Sequence, residues 1–550
     1  MMKKASWAPI GASLFGLTWF IHLAGFHPLN PTNLDWLLVG DWAQHVTGWL
    51  FFRNEPWHFP LGRVTGALYP VGTTIGFSDS NPIVSVLLKP FSSWLPVDFQ
   101  FIGPWLALCF MLQGVFGARI TALFTRDRLV QFLGGGLFTL SPVLAFRVGH
   151  DTLCAQWLLL ALLAIGLQPD ADPRSVRRRL SWTVALVMLA AGIHPYLTVM
   201  CWTLAATCYL AAWKDHRVTF VGALAWTAAA TIGAIGVFWI FGYFGNPALG
   251  SSGFGQYASD LLALCNSEGR SRLLPALRSR HPGEGFGFLG LGGLFAVAVA
   301  GVAVIWRRSG AWRRAWPFAL ACVLMTIYAC APILCAAGHP IATMHSAFAD
   351  FAGMAAVFRA SGRFIWPIHY LVLTIGIWGC VRLCGPRRNV AAALLLSTAI
   401  VLQLADTNVG EISFAPRAER QLFQSGWPLA AGHYQHLALV PMDVPGACTT
   451  SWPGGDVMLY AIEAYRLKLT FNSGSFARPA VDRLQAACGA LKRTTDAGIL
   501  ETDTIYVLVD HTPDGMRAAG VVCGHHLEGH WVCVSKDSDT EFRRYLETHR

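Results

Sequence analysis

Long apolar runs alternate with short, charge-bearing breaks along the first three quarters of the chain. Eleven runs approach bilayer-crossing length, at 8–26, 100–124, 129–147, 152–168, 180–195, 196–213, 218–242, 286–306, 315–336, 364–384 and 390–406. A hydrocarbon core of about 30 Å needs about 20 residues of α-helix. The pattern predicts an all-α polytopic membrane region of about eleven transmembrane helices over residues 1–406. The neighbouring runs 180–195 and 196–213 must turn at His194-Pro195-Tyr196, read as a helix break with an interface-anchoring aromatic. The first run follows Lys3 and Lys4 as a signal peptide would, but it is long and lacks a small-x-small cleavage site. It reads as a retained helix.

Beyond residue 406 the period changes. Strand-like runs at His436–Pro441, Thr504–Val509, Gly520–Cys523 and His530–Val534 alternate with helix-like stretches around 455–467 and 478–493. Such alternation predicts an α/β domain over 407–550.

Composition and charge decide which face of the membrane carries what. Of 550 residues, 54% are hydrophobic and 13% charged, about half the charge of a soluble domain. That excludes a disordered chain, a nucleic-acid-binding domain and an ordinary cytosolic enzyme. The net charge of +10 follows topology. With the N-terminus inside, the short breaks 1–7, 125–128, 169–179, 214–217, 307–314 and 382–389 hold 17 Lys/Arg, among them Arg177, Arg178, Arg179, Arg307, Arg308, Arg313 and Arg314. The longer opposite loops 27–99, 148–151, 243–285 and 337–363 hold nine. This asymmetry predicts a cytoplasmic N-terminus and an extracytoplasmic C-terminal domain. Ten of the 14 cysteines precede residue 400, nearly all in apolar runs. Cys448, Cys488, Cys523 and Cys533 lie in the tail, where an oxidising compartment permits disulfides. Cys523 with Cys533 and Cys448 with Cys488 is one of three connectivities, beside free thiols.

The chemistry is confined to the outer loops. Residues 41–52 read as an amphipathic helix that puts Asp41, His45 and Trp49 on one face, with Asp35 just before it. Asp41 is either a general base with His45 as partner, or a helix cap after Gly40 beside a solvated His45. Tyr69–Pro82 is turn chemistry from which Asp79 can face a cavity. His150-Asp151 is a helix cap or a second acidic group. The loop carrying Arg270, Arg272, Arg278, Arg280, His281 and Glu284 is a phosphate clamp or a solvated basic loop. Arg359 and Arg363, spaced i, i+4, are a second clamp or snorkelling side chains. No P-loop, HExxH or GxSxG motif is present, no GxGxxG opens a βα unit, and the inside loops are too short for a nucleotide site. Nucleotide is therefore not expected as cofactor. A divalent cation is compatible with the loop acids and histidines, but no spacing demands it.

The long first outer loop with an acid near its start, and the extracytoplasmic tail, resemble the GT-C class of multi-pass glycosyltransferases. Gly40-Asp41-Trp-Ala-Gln-His45, Trp49–Trp57, Tyr69-Pro70, Ser80–Ile83, Gly149-His150-Asp151, Phe358–Phe364 and Asn472–Pro479 resemble an uncharacterised bacterial membrane family placed near that class. The resemblance implies a GT-C-like bundle with interfacial helices in the first outer loop, in the bacterial inner membrane. It implies transfer of a sugar from a polyprenyl-phosphate-linked donor to a glycan, lipid or protein acceptor of the cell envelope, with inversion. It places the base on Asp41 (Asp35 competing), a second acid on Asp151 and the lipid-phosphate contacts on Arg359 or Arg363. His45 would assist catalysis, while Asp35, Asp79, His150 and Glu284 would line the substrate. A glycolipid or glycan transporter, or a non-catalytic envelope assembly protein, is the alternative.

Overall fold

The computed structural model describes residues 6–168, 172–245, 254–306, 312–384, 389–408, 414, 426–509, 521–525 and 530–549. Arg307, Arg308 and Gly520 lie outside them. All eleven apolar runs contain helix, from Trp7–Ala24 to Asn389–Asp406. Seven helical stretches among the described residues are long and apolar enough to cross a membrane: Trp7–Ala24, Ile102–Thr121, Arg128–Gly149, Pro195–Lys214, Phe220–Ile240, Ser361–Cys384 and Asn389–Asp406. Asp151–Leu167, Gly290–Trp306 and Ala315–Ala329 are apolar but shorter. The chain is a mostly helical membrane protein with an α/β region at its C-terminal end.

One boundary is corrected. The run 315–336 is not helical throughout: the helix stops at Ala329, and Ile333–Ala336 pairs antiparallel with His339–Thr343. Pro332 disfavours helix at the residue before it and cannot donate to the preceding turn.

The chain divides into two compact units. The first comprises Met1–Leu29, Ile102–Val237 and Gly250–Phe414. Its helices approach through small residues, since lipid provides no hydrophobic drive for helices to associate. At Gly114, a Cβ would stand 2.2 Å from the Ala12 carbonyl oxygen. Helix Gly290–Trp306 begins on amides satisfied from another helix: Gln403 Oε1 accepts from Gly292 at 3.0 Å and Gly293 at 3.2 Å. These are the orphan donors that every helix start must place somewhere.

The second unit comprises Asn30–Phe101, Phe238–Leu249 and Ala415–Arg550. It holds a five-stranded sheet made of β1 (His436–Val440), β2 (Thr470–Phe471), β3 (Thr504–Leu508), β4 (Val522–His525) and β5 (Trp531–Val534), in the order β2-β1-β3-β5-β4. β1 runs parallel to β2 and β3, while β5 runs antiparallel to β3 and β4. Helices Gly454–Arg466 and Val481–Asp496 fill the crossovers. Disulfides join Cys448 to Cys488 and Cys523 to Cys533, the second across the β4–β5 ladder.

The segment between the first two apolar helices is built onto this sheet domain. The Tyr69 amide donates to Phe471 O at 3.0 Å and the Phe471 amide to Gly66 O at 2.7 Å. The Tyr69 ring stacks on His436 at 4.1 Å. Arg466 pairs with Asp98 at 3.0 Å, and the Tyr465 hydroxyl donates to Val97 O at 2.7 Å.

Candidate functional site

Two polar constellations stand out, one in each unit. In the first unit, Glu284 is the hub of an arginine row. Its Oε2 meets Arg147 Nη1 at 3.0 Å and Arg363 Nε at 2.7 Å. Arg147 also donates to the carbonyls of Gly283 and Glu284, and its guanidinium lies over the Phe146 and Trp366 rings. Burial alone would raise the Glu284 carboxyl; the charges of Arg363 and Arg147 and their hydrogen bonds override it and hold it at about 2. Nearby, Arg270 lies 3.8 Å from the Phe146 ring centre, and Glu268 accepts from the Gly283 amide. Burial raises the Glu268 carboxyl. Three guanidiniums against two carboxylates leave the row net positive, the balance that favours an anion.

From Arg363 the row continues through aromatic rings. Its guanidinium lies 4.7 Å from the Tyr196 ring, whose hydroxyl accepts from the Ala360 amide at 2.8 Å. Tyr196 neighbours His194, and His194 neighbours His150, at ring separations of 5.5 and 5.3 Å. The His194-Pro195-Tyr196 break is present, with His194 Nδ1 accepting from the Tyr196 amide. Tyr196 is no simple interface anchor, however, because it packs on Arg363. His150 pairs with the Thr152 hydroxyl at 3.2 Å. Asp151 is fully buried in the short 3-10 turn Asp151–Cys154, its carbonyl accepting from Trp105 Nε1.

Arg359 and Arg363 do not share a helical face as their spacing suggests. Ala360, at φ −86° and ψ 58°, separates the turn Ala356–Phe358 from Ser361–Ile365. Arg363 is buried against Glu284. Arg359 is exposed near the Tyr257 ring, with no ion-pair partner among the described residues.

In the second unit, helix Gly40–Asn54 carries Asp41 and His45. It is buried at nearly every position from Trp42 to Arg53, so it is not the amphipathic surface helix its sequence suggests. Arg53 donates to the carbonyls of Ser92, Leu95, Pro96 and Val97, and Glu55 accepts from the Thr65 and Gly66 amides. Both tie loop ends together. Asp41 is not the helix cap: Val39 holds that position, Gly40 turns in at φ +55°, and Asp41 is exposed in the first helical turn. Asp35 is half-buried ahead of it. His45 is not solvated either; it is 1% exposed.

Against His45 lies the turn Phe77–Pro82. A His45 ring nitrogen and an Asp79 carboxylate oxygen lie within 4.8 Å of one another. Asp79 and Asn81 both occupy the left-handed region, at φ +53° and +47°. The turn is braced by Ser80 Oγ on the His45 carbonyl at 2.6 Å, Ser78 with Ser80 at 2.8 Å, and the Ala477 amide on Phe77 O at 2.8 Å. Gly48 permits the approach, for a Cβ there would stand 2.2 Å from Ser78 Oγ. Asn81 is fully buried at the N-cap of helix Pro82–Leu88 yet makes no capping bond, and neither end of its carboxamide has a hydrogen-bond partner among the described residues. Tyr243 packs edge-on to Phe77, and burial, with the Asp79 charge, pushes its phenol well up.

Sequence reasoning missed Arg147, Asn81 and Tyr243. Arg147 ends an apolar run, a costly place for a charge and hence a signal. Asn81 stands in the stretch 69–82, whose residues read as turn chemistry, and Tyr243 carries no local signal.

The chain belongs to the family described as a domain of unknown function (DUF6311), which matches residues 13–408. The DUF6311 C-terminal domain matches residues 426–535. Comparison with the curated proteins returns no match.

Proposed function

We propose that this protein is an integral membrane glycosyltransferase of GT-C-like architecture with about eleven spans. It moves a sugar from a polyprenyl-phosphate-linked donor to a cell-envelope acceptor on the outer face of the inner membrane. The observation that carries the reading is the arginine pair flanking Ala360. Arg363 is fixed by Glu284 in a net-positive row, while Arg359 is exposed, without a carboxylate partner among the described residues, at the start of an apolar span. A guanidinium held there suits a lipid-borne phosphate. The orientation is supported by the Lys/Arg asymmetry of the short breaks and by two disulfides in the tail, which favour an oxidising compartment.

In this reading the acceptor hydroxyl oxygen attacks the anomeric carbon as the bond to the phosphate oxygen breaks. Asp41, exposed in its first helical turn, takes the hydroxyl proton. The polyprenyl phosphate leaves with its charge met by Arg359, and the row around Glu284 holds Arg363 and the segment beside it in place.

The test is sugar transfer by the full-length protein in vesicles, from a labelled short-chain polyprenyl-phosphate sugar to envelope acceptors. Asp41→Asn is expected to abolish transfer with expression and melting temperature unchanged. Near-normal transfer by that variant overturns the base assignment. No transfer by the wild type from any phosphate-linked donor overturns the activity.

A further inference from the structure

We infer that His45, Asp79 and Asn81 form a binding site for one divalent transition-metal ion. The imidazole and the carboxylate come from different elements and lie within 4.8 Å of one another. Two ligand bonds of about 2.1 Å each reach across about 4.2 Å, so a cation between the two groups needs at most a small movement of either side chain. Asn81 supplies the independent sign of a ligand. Asparagine at an N-cap normally accepts from the helix's first amides; here the side chain is fully buried, caps nothing and has neither end hydrogen-bonded among the described residues. A buried carboxamide without a partner is costly, and two non-glycine residues in the left-handed region add strain. Such strain persists where the surroundings over-determine it and clusters at ligand sites.

The surroundings do over-determine it. Ser80 Oγ holds the His45 carbonyl, the Ser85 hydroxyl donates to Ser80 O, Gln44 reaches Phe77 O, and Gly48 leaves room for the two serines. These bonds fix the backbone that carries all three side chains, the supporting shell that metal ligands require. Imidazole nitrogen with carboxylate and carboxamide oxygen suits Zn²⁺ or Mn²⁺ better than Ca²⁺, which prefers all-oxygen sets. The site does not depend on the glycosyltransferase reading and is read out without sugar transfer.

The experiment uses full-length protein in detergent, stripped with chelator, exposed to Zn²⁺, Mn²⁺ or Mg²⁺ and desalted before elemental analysis. About one equivalent of Zn²⁺ or Mn²⁺ is expected to remain, with a rise in melting temperature on rebinding. His45→Gln and Asp79→Asn should each weaken binding at least tenfold. Asp79→Asn matters most, because asparagine tolerates the left-handed backbone and should keep the metal-free melting temperature. If His45→Gln fails to fold, Asp79→Asn decides alone. Retention of no metal by the wild type, or equal retention by a folded Asp79→Asn, overturns the proposal.

Discussion

The arginine row and the histidine–aspartate turn are both buried and polar, but they are stabilised in opposite ways. Around Glu284 the charges answer one another: two guanidiniums share one carboxylate oxygen, and Arg147 uses two further carbonyls. Around Asp79 the backbone is well braced, yet two residues are held at positive φ and the Asn81 carboxamide has no hydrogen-bond partner among the described residues. The first arrangement reads as a scaffold that positions charge. The second keeps a local cost, and such costs persist at functional sites more often than elsewhere. Substitutions can therefore separate the two by the sign of their effect on stability.

The largest effect belongs to the hub. Glu284→Ala leaves two buried guanidiniums without their carboxylate and is expected to destabilise the protein by about 3–5 kcal/mol. Denaturation in detergent or vesicles would measure it, and a cost below about 1 kcal/mol would show that the row is no scaffold. Acid should reproduce the loss. The folded carboxyl titrates at about 2, below its ordinary range. Its stabilisation is therefore fully present above about pH 4.5 and lost as pH falls toward 2, worth about 3 kcal/mol. Melting temperatures of wild type and Glu284→Gln should accordingly converge over that window and stay apart at neutral pH.

Asn81 should behave in the contrary way. Glycine accepts positive φ without penalty, and Asn81→Gly also removes a buried amide that has no partner. The metal-free protein is expected to gain about 1–3 kcal/mol of stability. A loss of similar size would mean that the side chain has a structural role and would erase the contrast with Glu284.

How far the sequence carries depends on the range of the signal. The helices were legible because their apolar runs are long, and β1, β3 and β5 because each is a run of several apolar residues. β2 was not, since Thr470–Phe471 is too short to show a period and exists by pairing with β1. Asp41, His45, Glu284 and Arg363 could be singled out as polar groups near apolar runs. The burial of His45, the convergence of Arg147 on Glu284 and the idle carboxamide of Asn81 arise from contacts between distant segments. No local pattern encodes those contacts. The i, i+4 spacing of Arg359 and Arg363 misled for a related reason: a single non-helical residue, Ala360, resets the faces.

That reset gives the smallest stability effect and the sharpest functional one. Arg363 is tied to Glu284, but Arg359 is exposed, with the Tyr257 ring 5.6 Å from its guanidinium. An exposed cation–π contact is worth about 0.5–1 kcal/mol at most, and surface substitutions usually stay within about 0.5 kcal/mol. Arg359→Ala should therefore leave the melting temperature almost unchanged. If its guanidinium meets the donor phosphate, the same variant should raise the KM for the polyprenyl-phosphate donor about tenfold or more, the loss of one charge-assisted contact. Arg359→Lys, which keeps the charge without the planar fork, should recover part of it. Unchanged donor kinetics in Arg359→Ala would move the phosphate contact away from this residue and leave Arg363, with its scaffold, as the remaining arginine of the pair.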